Sequence, residues 1–485
     1  MKDFQFVVLW SDVLFAVLIA ALVAGVSFAM RREHLRRAWR GVFSRPSAMA
    51  SLVILLCYLA VAIIDSVHFR PALEQKGDPA AGAKVVYSVE VRSLLDVVLA
   101  DMRETSEKSY SEPFAAYLYE KQVMEQPDGT QKRDYPRLKY GAAHLQDPEN
   151  ERAADIAGRL VKAFAIGAAL WLLALAVLAR GVGKRQGMDL KTAAIAILRG
   201  RTAIAWDGFA WALLVVLLFG SALFTLSGPY HVFGTDATGN DVLYQTFKAM
   251  RTALMIGTLA TLVVLPLGIG LGIAAGYYGG WVDDAIQYIY TVISSIPYVL
   301  LIAAAALMMQ MVIEGRSDLF DTAAARADAR LVSLCVIIGA ISWTTLCRLL
   351  RAETFKLREL DYVQAARCFG VSNLRIMLRH ILPNAFHIVL ITVVIEFSAL
   401  VLAEAVLSYV GVGVDPTTFS FGNMINKARG ELAREPAIWW SITSAFVFMV
   451  SLVLAANLFA DAVRDAFDPR ALTPLRRRLR LGAAK

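Results

Sequence analysis

Long stretches of this chain carry apolar side chains on every face rather than along one stripe. Nine such runs occur, at 6–28, 48–66, 159–179, 207–226, 250–276, 285–312, 331–350, 386–410 and 437–460. A helix of about 20 apolar residues crosses the hydrocarbon of a bilayer, so each run is predicted to be a membrane span. A soluble protein with nine buried helices would need polar faces that these runs lack. Polar residues are gathered into short blocks between the runs, with one long polar segment at 67–158. Its sequence "QPDGTQ" at 126–131 is a turn signal, and a small α or α+β domain is expected there.

Composition agrees with the pattern. Hydrophobic residues make up 57% of the chain and charged residues 19%, against about 25% charged in an ordinary soluble domain. The net charge of +8 does not imply nucleic acid, because the basic residues cluster beside the spans. "RREHLRRAWRGVFSR" (31–45), "RGVGKRQGMDLK" (180–191), the Arg348–Arg379 segment and "LRRRLR" (475–480) are the basic blocks. Placing all four in the cytoplasm makes nine spans alternate consistently, with the N-terminus outside and the C-terminus inside. The segments 67–158, 227–249, 313–330 and 411–436 then fall outside. The first run lacks a basic leader, carries Asp12 and is followed by "RREHLRR", so it is expected to remain as an anchor. Cys57, Cys335, Cys347 and Cys368 all lie in spans or in the expected cytoplasmic loop, and no structural disulfide is expected. There is no CxxC and no metal-ligand spacing.

The chain divides on this reading into two N-terminal spans with a basic loop (1–66), an inserted outside domain (67–158), a third span and linker (159–204), a six-span core (205–470) and a basic tail (471–485). Within the core, "DYVQAARCFGVSNLRIMLRHILPN" (361–384) separates two apolar runs. Ala365 and Ala366 favour helix, Gly370 permits a turn, Ser372 is a good N-cap for a second helix, and Pro383 restricts its end. A short helix exposed on the cytoplasmic side could dock into a cleft of a partner. The same residues equally suit an amphipathic helix resting on lipid headgroups.

This segment resembles the "EAA…G…I…LP" cytoplasmic loop of ABC-importer permeases. Ala365, Ala366, Gly370, Ile381, Leu382 and Pro383 match, while Gln364 stands where the family has Glu. Asp361, Tyr362, Ser372, His380 and Asn384 match the form common in the oligopeptide and dipeptide branch. Four further segments are similar in order: "HVFGTDATGNDV" (231–242) with Arg251 and Leu254, "GYYGGWVD" (276–283), "LSYVGVGVDPTTFSFGNMI" (407–425) and "AVRDAFDPR" (462–470). The resemblance covers 231–470. Residues 39–67 look weakly like the family's N-terminal helix, and the 207–226 run is the alternative for that role.

The resemblance implies an all-α integral membrane protein with a type I permease core of about six spans, extended by N-terminal spans and a small outside domain. It implies a multi-pass subunit of the bacterial inner membrane, importing short peptides or related solutes. Its partners would be two ABC ATPase subunits, a second related permease, a periplasmic substrate-binding protein and the lipid bilayer. The 351–385 loop, through Asp361, Tyr362, Gln364, Ala365, Ala366, Gly370, Ser372, His380 and Pro383, would couple to the ATPase. Gly234, Thr235, Asp236, Gly239 and Asp241 would form an outside gate or a rim for the binding protein, or simply a well-capped turn. The P-loop pattern GxxxxGK[ST] is absent from the chain, so no catalytic residue and no cofactor is assigned here, and ATP and Mg belong to the partner subunits. Glu404 fits the family pattern before "LSYVG". Glu396, near mid-span, either lines a path for cationic cargo or bonds a neighbouring helix. Pro266 and Pro297 are expected to interrupt spans, Gly268, Gly270 and Gly272 to be close-packing positions, and Trp439 and Trp440 to sit at the outside interface. Two other classes remain open: an ion-coupled secondary transporter, for which Glu396 stands nearly alone, and a non-transporting scaffold acting through 67–158.

Overall fold

The computed structural model describes residues 4–72, 87–125, 131–316, 320 and 322–467. The turn signal at 126–130 and the ends of two expected segments, 468–470 and the tail 471–485, lie outside the described residues. In chain order the elements begin with β1 (Phe4–Val7), α1 (Trp10–Arg31), α2 (Glu33–Phe43), α3 (Pro46–Asp65), β2 (His68–Pro71) and β3 (Arg92–Ser93). Next come α4 (Leu94–Val98), α5 (Ala100–Glu104), β4 (Gln122–Glu125), β5 (Gln131–Asp134), α6 (Pro148–Gln186), α7 (Leu190–Leu198) and α8 (Trp206–Ser227). The remainder is helical: α9 (Val242–Tyr278), α10 (Gly280–Ser295), α11 (Tyr298–Gly315), α12 (Ala323–Arg358), α13 (Asp361–Cys368), α14 (Asn373–Ile376), a π turn (Met377–Ile381), α15 (Leu382–Val410), α16 (Phe421–Leu432) and α17 (Trp440–Phe467).

Among the described residues nine helices are long and apolar enough to cross a membrane: α1, α3, α6, α8, α9, α11, α12, the continuous stretch Asn373–Val410, and α17. Local chemistry sets their ends. Asp147 accepts a hydrogen bond from the Glu149 N–H and Pro148 opens α6, while Gly187, with φ +65°, closes it after Lys184 and Arg185. Thr322 caps α12 by accepting from the Ala325 N–H at 3.1 Å.

Two compact units emerge, neither of them one continuous stretch. The first comprises Met1–Val8, Phe43–Thr252 and Thr418–Ala455. In it α8 packs against both α3 and α6, and α7 packs on both α6 and α8. Close approach is possible because small residues face neighbouring backbone: a Cβ on Gly208 would fall 2.2 Å from the Pro46 carbonyl oxygen. The polar part of this unit is built from short elements. β1, β2 and β3 form an antiparallel sheet in that order, with Phe4 opposite Pro71 and His68 opposite Ser93. β4 and β5 form a hairpin in the register Glu125 to Gln131. Ser93 and Asp96 form a reciprocal cap on α4. Leu95, Leu99, Met102 and Ala116 are buried together with Tyr230, Val232 and Leu243.

The second unit comprises Leu9–Val42, Ala253–Thr417 and Ala456–Lys485. Its core gathers Val264, Ile273, Trp343, Leu346, Leu350, Ile376, Ile381 and Val389. Between helices in lipid the hydrophobic effect offers little, and packing depends on small residues. α9 supplies them on the face that meets α12: Cβ atoms on Gly268, Gly272 and Gly276 would lie within 3.0 Å of Leu346, Cys347 and Thr354 atoms respectively. Gly270 faces open space, so it is not a packing position.

The expectations for Pro266 and Pro383 are corrected, and the interruption expected at Pro297 is observed. Pro266 sits inside α9, which continues on both sides of it. The expected span 285–312 is two helices, because Ile296, the residue before Pro297, is extended with ψ 136°. Pro383 likewise does not end the second helix of the 361–384 segment. The π turn precedes it, the Leu382 N–H reaches back to the Met377 carbonyl, and the proline occupies the first turn of α15. A proline in a first turn lacks only a donor that the π turn has already displaced from the α-helical register.

Substituting Gly276→Leu is expected to destabilise the chain by about 1–3 kcal/mol or more through overpacking against Thr354 and Arg351. Gly270→Ala is expected to be neutral or to gain up to about 1 kcal/mol of helix propensity. Thermal unfolding of both variants in detergent, followed by fluorescence-detected size exclusion, measures the difference.

Candidate functional site

Residues 361–384 lie wholly within the second unit. Val363, Ile376 and Ile381 are buried and pin the segment to the core. Gly370 makes the turn with φ +73°, a conformation costly for any residue with a Cβ. Its N–H bonds to the Arg367 carbonyl at 3.0 Å and the Val371 N–H to the Ala366 carbonyl at 3.1 Å, which closes α13. Of the residues expected to couple, Asp361, Tyr362, Gln364, Ala365, Gly370, Ser372 and Pro383 are exposed, and Ala366 and His380 half-buried. Tyr362, His380 and Asn384 come together: the Asn384 amide donates to the Tyr362 hydroxyl at 3.0 Å and to the His380 carbonyl at 2.7 Å. Ser372 stands at the start of α14 but its hydroxyl makes no cap hydrogen bond, which corrects its expected role. Gln364 donates from Nε2 to the Arg358 carbonyl at 3.1 Å and so caps the end of α12.

The surface between these residues is apolar with a basic rim. Phe369 is 86% exposed and Leu374 63%. A shallow depression of about 470 Å³ is lined by Ser372, Leu374, Arg375, Leu378, Arg379 and Pro383. An apolar surface with a basic rim suits a protein docking face or a helix resting on lipid headgroups. Phe369 was not among the residues singled out from sequence, although an aromatic placed directly before the turn glycine was a usable signal.

The second candidate loop, Gly234–Asp241, lies in the first unit and is sealed rather than open. Gly234, Thr235, Asp236, Gly239 and Asp241 are all buried, and only Ala237, Thr238 and Asn240 are exposed. A rim formed by those five residues is therefore corrected: they hold the loop. Asp236 Oδ1 accepts from the Thr238 and Asn240 N–H groups at 2.9 and 3.0 Å, and its Oδ2 from Gln245 at 2.7 Å. Asp241 Oδ1 accepts from the Leu243 and Tyr244 N–H groups and caps α9. Residues of the long polar segment press onto the loop. The Ser111 N–H donates to Thr235 Oγ1 at 2.7 Å, and a Cβ on Gly239 would fall 1.9 Å from the Glu107 carbonyl oxygen.

Glu107 is the residue that sequence reading missed. Its carboxylate accepts from the Lys139, Tyr140 and Gly141 N–H groups at 2.7–3.1 Å and lies 3.7 Å from His231 Nε2. His231 Nδ1 is 2.8 Å from Asp241 Oδ2. Burial alone would raise the Glu107 carboxyl, but His231 and the three amides outweigh it and bring it down to about 2. Burial alone would lower the His231 imidazole, but Asp241 and Glu107 hold it up at about 9. His231 is therefore a buried cation between two anions at neutral pH. No motif marks Glu107, because its amide partners are 32 to 34 residues away.

Of the two span carboxylates, Glu404 is buried and accepts from the Ser408 hydroxyl at 2.7 Å. Glu396 is half-buried with no hydrogen-bond partner among the described residues.

Nine candidate membrane helices among the described residues, with an exposed helix–glycine–helix on one loop, make a polytopic membrane protein. The sequence profile of the family described as the binding-protein-dependent transport system inner membrane component matches residues 268–473. The oligopeptide transport system permease protein OppC of Mycobacterium tuberculosis is 30% identical over 260 residues, 54% of this chain and 82% of that protein. The dipeptide transport system permease protein DppC of Lactococcus lactis is 32% identical over 241 residues, 50% of this chain and 64% of that one. A solved structure of the MetNI methionine ABC transporter in inward-facing conformations is a loose likeness, with a TM-score of 0.34 and 16% identity over 47% of this chain and 96% of that one, too low to bear on the fold. The chain belongs to the family of binding-protein-dependent transport system inner membrane components, and it is a multi-pass permease subunit.

The ion cluster sets a pH dependence. The folded value of His231 lies above the ordinary 6.5, so its stabilisation is complete below about 6.5 and is lost as pH rises through about 9. Wild-type melting temperature is expected to fall between pH 7.5 and 9.5. His231→Gln should flatten that fall and cost on the order of 3 kcal/mol at pH 7, the scale for breaking a buried pair. Melting curves of both forms across that pH range measure it.

Proposed function

We propose that this chain is the permease subunit of an ATP-driven importer for short peptides or related small solutes, delivered by a periplasmic binding protein. The observation that carries this reading is the exposed apolar and basic face around Phe369, Leu374 and Gly370. Two ATPase subunits, each binding ATP and Mg, would drive the complex, and one would seat on this face in the cytoplasm. ATP binding would close the ATPases and move α13 with them. The spans would then swing between inward- and outward-facing states, and hydrolysis would reset them. A second, related permease would complete the path. Peptide cargo is supported by the likeness to OppC and DppC, oligopeptide and dipeptide transport system permease proteins.

In this scheme the N-terminus lies outside and the C-terminus inside, in the bacterial inner membrane. Pairing of β1 with β2 supports one side for residue 4 and the 67–158 segment. That segment would be an accessory docking surface for the binding protein, reaching the Gly234–Asp241 loop from above, and the loop would act as part of an outside gate through its exposed Ala237, Thr238 and Asn240. Glu404 would serve as a buried strut and Glu396 would line the cargo path, favouring cationic peptides.

Co-purification from native membranes tests the coupling face. Wild type is expected to recover an ATPase subunit. Phe369→Asp and Gly370→Arg should recover at least about tenfold less, as about 1.4 kcal/mol of lost docking energy implies, with insertion and melting temperature of Phe369→Asp unchanged. Equal recovery by all three forms sinks the reading. Uptake assays with Glu396→Gln address the path: uptake of a lysine-containing peptide should drop several-fold relative to a neutral one, and unchanged uptake of both removes Glu396 from it.

A further inference from the structure

We propose that the end of α6 and the connection leading into α8 form a binding site for one anionic phospholipid of the phosphatidylglycerol type. The site lies outside the residues matched by the family profile. It is a groove of about 370 Å³ in the first unit. Val177, Leu178 and Val182 make one wall and Ile204 with Trp206 the other. Arg185 and Gln186 stand at its end. The connection that forms the second wall is fixed. The Ala205 N–H donates to the Phe43 carbonyl at 2.8 Å, and Thr202 Oγ1 donates to the Ile204 carbonyl at 2.5 Å. Trp206 also packs edge-on against Phe209. Gly181 lines the groove, and a Cβ added there would meet no atom within 4 Å.

The chemistry points to a lipid. The apolar wall continues onto the outer face of α6, where Leu173 is 64% and Val177 65% exposed in a membrane-spanning helix. Val177 to Arg185 covers ~12 Å of helix, the scale of much of an acyl chain. A water-soluble ligand would find no polar group along that wall. Arg185 is the charged residue that lines the head end of the groove, and Arg180, Lys184, Arg199 and Arg201 stand close to it in sequence. The side chains of Arg185 and Gln186 make no hydrogen bond or ion pair among the described residues, so their N–H groups are available to a phosphodiester. An anionic headgroup satisfies that surplus, and a zwitterionic one does not.

The test uses the full-length chain in detergent, titrated with phosphatidylglycerol, phosphatidylcholine of the same acyl chains, or inorganic phosphate, and read by melting temperature and by native mass spectrometry of bound lipid. Phosphatidylglycerol is expected to raise the wild-type melting temperature by several degrees, with one lipid retained, where the other two do not. Arg185→Gln should weaken that effect about tenfold. Gly181→Leu keeps every charge, improves helix propensity and fills the groove, and should abolish retention. Lys191→Gln, neutralised away from the groove, should behave as wild type. Equal effects of the two lipids, reproduction by phosphate alone, retention in Gly181→Leu, or a Lys191→Gln loss equal to that of Arg185→Gln would each overturn the proposal.

Discussion

Hydrocarbon offers a peptide group no hydrogen-bond partner, and most of this chain's architecture follows from that constraint. Backbone that crosses the bilayer must satisfy itself, so the long elements are helices, and departures from helix carry their own remedy. At Met377–Ile381 the ladder widens by one residue, and the Leu382 N–H finds the Met377 carbonyl before Pro383 removes the next donor. At Ile296–Pro297 the chain breaks outright and restarts as α11. With water absent on both sides of an interface, attraction between helices must come from contact. The Gly268, Gly272 and Gly276 stripe gives it by letting α9 approach the backbone of α12.

The polar segment obeys the opposite rule. It buries a small apolar cluster, Leu95, Leu99, Met102 and Ala116, against Tyr230, Val232 and Leu243, and it adds buried charge to that attachment. Glu107 takes three amides from residues 139–141 and faces His231, while Lys248 bridges Asp65 and Asp96 at 2.7 and 3.0 Å. Buried ion pairs are weak contributors to net stability, yet removing one partner is costly. Their effect here is to fix register: a shift of the segment across the loop would leave His231 or Glu107 charged, dry and alone.

The sequence made the spans legible because an all-round apolar run has few other physical meanings. The glycine turn at 370 was legible for the same reason, since helix formers flank a residue suited to positive φ. The interruption at Pro297 was legible, whereas the effects of Pro266 and Pro383 were misread, because proline's effect depends on whether the surrounding turn can widen. The Gly234–Asp241 loop was misread for a different reason. Asp236 and Asp241 show only that a loop is polar and capped, and whether it is open depends on Glu107, Ser109 and Ser111, more than a hundred residues earlier. Contacts at that separation leave no local pattern.

Gln364 shows how a departure from a family pattern can be physically coherent. The position faces the C-terminal end of α12, where free carbonyls carry partial negative charge. A carboxylate there could not donate a hydrogen bond and would meet that charge unfavourably. The glutamine amide donates to the Arg358 carbonyl, while the Arg358 guanidinium donates to the Gly276 carbonyl at 3.1 Å and the Tyr277 hydroxyl to Asn373 at 3.0 Å. One hydrogen-bonded chain thereby joins α13, the end of α12, the end of α9 and the start of α14. These hydrogen bonds join the helices without any charge at 364, so the missing carboxylate removes an ion and leaves the connection in place.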